Sequence, residues 1–228
     1  MGIERLMYLG AAALVAAGCA DRDEAIETAM ASETQPARAQ LRIVHADPAS
    51  GELGVYRGYA EAASGLRYLD VTPWLLVPEG DERLSLVATA DQRGDPAVEL
   101  DERLEAGGRY TLIAYDDGGT ARAMLLDDSI EWEEGRARLR VVNLIDDGPE
   151  VEIFARGGRD RLLDDVEPGE TEDEWVAPTD RALEFRREDE REPYLVVPNL
   201  QLEEGRGYTL VLTGTAERPD VVKVEDEI

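Results

Sequence analysis

One cysteine, one histidine and one lysine occur among the 228 residues, at Cys19, His45 and Lys223. A lone cysteine excludes an intrachain disulfide, so the fold has to stand on its core. Any Ser-His-Asp or Cys-His nucleophile system would have to use the one histidine, for which a structural role is expected, with the only thiol near the N-terminus, and no zinc site of the usual kind is left. Apolar runs are short as well. The run from Leu6 to Ala17 ends after twelve residues, well below the roughly 18 to 20 a spanning helix needs.

Basic charge is scarce: 24 Lys and Arg face 51 Asp and Glu, for a net charge of −27. The excess is even. Residues 40–135 carry 20 acids and 8 arginines, and residues 136–228 carry 25 acids, 12 arginines and Lys223, which is −12 in each segment. Such a surface repels phosphate backbones, which argues against nucleic-acid partners. Abundant carboxylate with almost no lysine resembles proteins of salt-loving bacteria, where salt screens self-repulsion. GC-rich codon bias with a surface tuned for solubility accounts for it equally well.

The N-terminal 19 residues read as an export signal. The Leu6–Ala17 run fits the apolar core of a signal peptide, although Glu4 offsets Arg5 and leaves the flank weakly basic. It ends in Ala16-Ala17-Gly18-Cys19, which resembles a bacterial lipobox despite alanine at position 16, where such boxes usually carry leucine. That resemblance implies lipidation of Cys19 and a mature chain beginning there. The alternative is plain secretion, with Gly18-Cys19-Ala20 as a small-residue cleavage site. Residues 20–39 are polar and small, as expected of a flexible tether.

The rest of the chain is duplicated. Leu41-Arg42-Ile43-Val44 returns as Leu139-Arg140-Val141-Val142, and Leu104…Gly107…Tyr110-Thr111-Leu112 returns as Leu202…Gly205…Tyr208-Thr209-Leu210. Both pairs keep one offset of 98 residues (139 − 41 and 202 − 104), as a doubled domain would. The segments are short, alternate with period two and are punctuated by Gly, Pro and Asp clusters, which indicates strands. The only helical feature expected after Gln40 is a turn near Tyr59 to Ala63. The expected fold is all-β: two tandem immunoglobulin-like sandwiches of seven or so strands, over 40–135 and 136–228. Tyr110 and Tyr208 resemble tyrosine corners, in which the hydroxyl bonds backbone a few residues upstream.

Three stretches sharpen this: the opening Arg42-Ile43-Val44-His45-Ala46-Asp47-Pro48, the segment from Gly65 through Val71-Thr72-Pro73-Trp74 to Pro78-Glu79-Gly80, and the Leu104 corner. Together they resemble a family of bacterial extracytoplasmic domains, domain of unknown function (DUF) 4397. The second copy departs from the pattern, with Asn143 in place of the histidine and Thr179-Asp180 in place of Pro-Gly. The resemblance implies a lipid-anchored or secreted sandwich without an established activity.

Candidate sites are few. His45 shares parity with Leu41 and Ile43, and its counterpart Asn143 can copy a hydrogen bond but not a proton shuttle or a zinc ligand, so a structural role is expected. The densest acidic cluster spans Asp164 to Glu174. Asp164, Asp165 and Glu167 are its calcium candidates, although no calcium-loop spacing is present and a solvated loop is the plainer expectation. The arginines from Arg186 to Arg191 are interleaved with acids and read as a self-neutralising hairpin tip. Trp74 and Trp175 read as equivalent packing residues, and Trp132 as a seal between the domains.

The expected function is a non-catalytic lipoprotein of the bacterial cell envelope, held to the membrane by lipid on Cys19. It would bind or scaffold an envelope protein or polysaccharide, without a cofactor. A calcium-linked surface adhesion module is one alternative. A polysaccharide hydrolase using two carboxylates is the other.

Overall fold

In the computed structural model of the chain, residues 37–88, 95–129, 132–159, 161–188 and 190–227 are described. Cys19 and the signal and tether segments lie outside them. Among the described residues the first copy supplies β1 (Arg38–His45), β2 (Leu53–Arg57), β3 (Ala60–Leu66), β4 (Leu75–Pro78), β5 (Gly80–Ala88), β6 (Val98–Leu104), β7 (Arg109–Asp117) and β8 (Thr120–Asp127). The second supplies β9 (Ala137–Asn143), β10 (Val151–Ala155), β11 (Arg161–Val166), β12 (Thr171–Val176), β13 (Leu183–Arg187), β14 (Pro193–Val197), β15 (Arg206–Thr215) and β16 (Arg218–Glu227). Each copy thus has eight strands, one more than expected. The turn foreseen near Tyr59 to Ala63 is confined to the tip of the β2–β3 hairpin; from Ala60 onward the chain is strand.

The strands form four four-stranded sheets, ordered β4-β1-β7-β8 and β3-β2-β5-β6 in the first copy, and β12-β9-β15-β16 and β11-β10-β13-β14 in the second. Pairing is antiparallel except where β1 meets β7 and β9 meets β15, which run parallel. Period-two alternation turns one row of each strand inward. Leu41 and Ile43 on β1 meet Val55 on β2, Leu84 and Leu86 on β5 and Leu112 on β7 in one buried core. Leu139, Val141, Ile153, Phe185, Leu210 and Leu212 do the same in the second. Each such side chain contributes about 1.5–3 kcal/mol of transfer free energy, set against the entropy of ordering it.

Both tyrosine corners are formed. The backbone N–H of Glu105 donates to the Tyr110 hydroxyl at 3.0 Å, and that of Glu203 to the Tyr208 hydroxyl at 3.0 Å. The turn requires positive φ at Gly107 (+75°) and Gly205 (+73°), which glycine adopts without steric cost.

A third buried cluster joins the sandwiches. Val44, Ala46 and Ile113 of the first copy pack against Val142, Leu144, Val211, Val222 and Val224 of the second, with Met124 and Leu126 at its edge. Sheet β4-β1-β7-β8 therefore lies face to face on sheet β12-β9-β15-β16, and β1 and β9 are buried on both faces. The contact is built from repeat-equivalent residues. Val44 and Val142, Ala46 and Leu144, Ile113 and Val211, Met124 and Val222, and Leu126 and Val224 are each 98 positions apart. This is the self-complementary pattern of a two-fold dimer, here within one chain.

The tryptophans take other places than expected. Trp132 packs edge-on against Trp175 of the second sandwich, with ring centroids 5.8 Å apart, and the valine-rich face makes the joint instead. Trp175 lies opposite Arg138 as Leu76 lies opposite Gln40. Its counterpart is therefore Leu76, not Trp74.

Candidate functional site

His45 ends β1 fully buried. Its Nε2 meets the Gly51 carbonyl at 2.7 Å, and its Nδ1 accepts from the backbone N–H of Asp47 at 3.2 Å. Asn143 repeats both bonds. Its Nδ2 donates to the Pro149 carbonyl at 3.1 Å, and its Oδ1 accepts from the N–H of Ile145 at 3.4 Å. Pro149 and Ile145 are the repeat counterparts of Gly51 and Asp47. Both ring nitrogens are thus engaged in pinning the loop that leaves the strand.

The centre of the joint holds buried ions. Arg42 donates to Asp226 of the other copy at 2.7 Å and to Asp128 at 3.2 Å, and Arg140 donates to Asp128 at 2.6 Å. The Thr111 hydroxyl also donates to Asp128, and the Arg42 guanidinium lies 4.2 Å from the centre of the Trp74 ring. Burial, and next the adjacent Arg138, lower the Arg140 pKa. At the margin the Thr213 hydroxyl donates to the Ala46 carbonyl at 2.6 Å, and the Tyr68 hydroxyl to Asp220 at 3.1 Å. Burial, and secondarily Asp220, push the Tyr68 pKa up to about 12. Every buried carboxylate and guanidinium named here faces an opposite charge, as burial of charge demands. The network is mortar between the sandwiches.

The acidic cluster lies partly on strands rather than in a loop. Asp164 and Asp165 are on β11, Glu172 to Glu174 on β12, and Glu167 in the turn between them. Glu152 of β10 joins Asp164 and Asp165, with carboxylate oxygens all within 4.8 Å; Glu167 is not one of the three. Arg161 bridges Glu152 and Asp164, the latter at 2.5 Å. Desolvation first, and then a hydrogen bond shared with Asp165, hold the Asp164 carboxyl above its ordinary range, against the pull of Arg161. A guanidinium therefore already neutralises two of these three carboxylates. Beside it, Trp175, Glu174, Leu162 and Arg136 line a shallow cleft of about 430 Å³ with Asp164 and Arg161.

A larger groove, about 730 Å³, crosses the outward face of the first sandwich over β5 and β6, lined by Tyr59, Asp81, Arg83, Ser85, Asp101 and Arg103 among others. Its walls come from one tetrapeptide used twice. Asp81-Glu82-Arg83-Leu84 and Asp101-Glu102-Arg103-Leu104 run antiparallel, so that Asp81 faces Arg103 and Arg83 faces Asp101. The Arg83 Nε donates to Asp101 at 2.8 Å, and Arg103 donates to Asp81 at 3.2 Å. Ser85 lies opposite Glu99 as the next rung. The like-charged pair Glu82 and Glu102 is relieved by Arg57, 3.2 Å from Glu82. Tyr59 stands fully exposed at the rim, on the β2–β3 hairpin tip. Strand periodicity alone does not mark this groove. The repeated Asp-Glu-Arg-Leu was the available signal, because an antiparallel pairing of two such words is self-complementary.

No curated protein matches the chain in sequence. Among solved structures it is similar to the C-terminal domain of AlgF from P. aeruginosa, with 22% identity and a TM-score of 0.34 over 41% of this chain and all of that one. A candidate cell adhesion protein from Bacteroides uniformis ATCC 8492 is similar over 83% of this chain and 98% of its own, with 12% identity and a TM-score of 0.25. A second such protein, from Bacteroides ovatus ATCC 8483, is similar over 85% and 99%, with 12% identity and a TM-score of 0.26. The profile of one family matches residues 39–154, running from β1 through β10. The chain belongs to that family, the domain of unknown function (DUF4397).

Proposed function

We propose that this protein is a non-catalytic binding or scaffolding module of the bacterial cell envelope, held to a membrane by lipid on Cys19. The observation that carries the reading is the joint. Facing sheets, a valine-rich seam and a buried ion network join the two sandwiches in one compact unit, Arg38–Ile228. A rigid double sandwich holds its outer sheets as fixed presenting surfaces. The engagement of His45 in loop hydrogen bonds supports a non-catalytic role. The Ala16-Ala17-Gly18-Cys19 signal supports the anchor. Arg161 among the acids weakens the calcium-linked alternative.

Cell fractionation with in-envelope cross-linking tests the proposal. The full chain is expected in the membrane fraction with a lipidated N-terminus, cross-linked to an envelope polymer or protein, and Cys19→Ser is expected in the soluble fraction. Membrane retention of Cys19→Ser, or a wild-type chain that cross-links to no envelope component, would overturn it.

A further inference from the structure

We propose that the outward face of sheet β3-β2-β5-β6 binds a neutral polysaccharide, laid along the Asp-Glu-Arg-Leu rungs with Tyr59 and Tyr56 as stacking surfaces. This deepens the binding-module reading and rests on it. Tyr59 contributes little to folding, since it is fully exposed. An aromatic ring in water at the lip of a groove offers an open stacking face with a polar hydroxyl at its end. Tyr56 lies opposite Ser85 on the same outward face and reaches back over Gly54. A Cβ at Gly54 would sit 3.2 Å from the Tyr56 ring, so a larger residue there would crowd the ring out of its place along the sheet. Two rings and two arginine–carboxylate rungs therefore share one face.

The rungs supply hydrogen-bonding groups in fixed places. Successive outward residues on a strand are about 7 Å apart, a spacing on the scale of a sugar ring. A guanidinium has five N–H donors and a carboxylate about four lone-pair sites. Each rung therefore keeps donors and acceptors for vicinal hydroxyls after its own ion pair is made.

Charge narrows the ligand. The net charge of −27 repels acidic polymers. A basic protein segment would need several unpaired carboxylates, whereas three of the five acids lining the groove, Asp81, Asp101 and Glu82, are each held by an arginine, which leaves Glu99 and Glu102. Paired forks beside aromatic rings suit an uncharged, hydroxyl-rich chain.

Calorimetric titration of the full-length protein, in a sugar-free detergent, with dextran, mannan and mixed-linkage β-glucan tests the proposal. At least one of the three is expected to bind, with affinity little changed by added salt. Tyr59→Ala is expected to weaken it about ten-fold, and Arg83→Gln also to weaken it. Arg122→Gln, on a strand of the other sheet, is expected to leave it unchanged, and the exposure of Tyr59 and Arg83 keeps folding out of the comparison. Three outcomes overturn the proposal: no binding by any of the polymers, binding indifferent to Tyr59→Ala, or binding of poly-lysine instead, with an affinity that vanishes as salt rises. If Tyr59→Ala cross-links in the envelope as the wild type does, the groove is excluded and the binding-module reading stands without it.

Discussion

His45 and Asn143 are two side chains performing one task. Each donates to a loop carbonyl and accepts from the N–H two residues on. Removing such a side chain strands the N–H of a buried residue, Asp47 or Ile145, at about 1–3 kcal/mol. His45→Ala is therefore expected to lower stability by about that amount, while His45→Asn, which transplants the solution of the second copy, should cost less than half as much. Urea denaturation of the two variants measures the difference, and equal losses would refute the equivalence. This role was legible beforehand, because parity placed the histidine inward and the duplication named its substitute. The partners of Arg42 were not legible. Asp128 is 86 positions away in the chain and Asp226 is 184, and strand pattern alone does not order sheets against each other.

At the scale of elements, the two copies solve the same hairpin differently. Between β2 and β3 the register slips between Leu53 and Val55, and Gly65 takes φ of +67° just before Leu66. Between β10 and β11 the slip recurs between Val151 and Ile153, and Asp165 takes φ of +47° just before Val166. A left-handed backbone costs a residue with a Cβ about 1–2 kcal/mol, less for aspartate, and glycine loses some of that advantage through its freer unfolded chain. Asp165→Gly is accordingly expected to stabilise the protein by about 0.5–1 kcal/mol, read as a higher urea midpoint with an unchanged slope. A lower midpoint would show that the Asp165 side chain, through Asp164 and Glu152, contributes more than the strain it imposes. The bulge explains the fate of the calcium candidates as well. It brings Asp164 and Asp165 to Glu152 on the neighbouring strand and leaves Glu167 in the turn. Sequence proximity pointed to Glu167, whereas strand pairing, not chain order, chooses neighbours and sets Glu152 beside the two aspartates.

Across the whole molecule, the joint makes the two sandwiches energetically dependent. Asp128 is its hub, receiving Arg42, Arg140 and Thr111. Removing one member of a buried pair leaves an uncompensated charge, at about 3–5 kcal/mol. The wild type is expected to unfold in a single calorimetric transition, and Asp128→Ala to lower stability by about 3 kcal/mol or more. An Asp128→Ala protein that melts like the wild type would mean that the valine seam alone holds the copies together.

Composition and periodicity were enough to determine an all-β chain, doubled at an offset of 98, acidic throughout, with its lone histidine turned inward. Those properties are local or repeat along the chain, so a strand carries them in its own residues. Only the tertiary structure decided what covers the second face of β1 and β9, where Arg42 and Arg140 find their acids, and that two distant Asp-Glu-Arg-Leu segments meet as rungs of one groove. Period two says which side chains share a face. What that face meets is set by pairings between segments far apart in the chain, whose partners are chosen only when the sheets assemble.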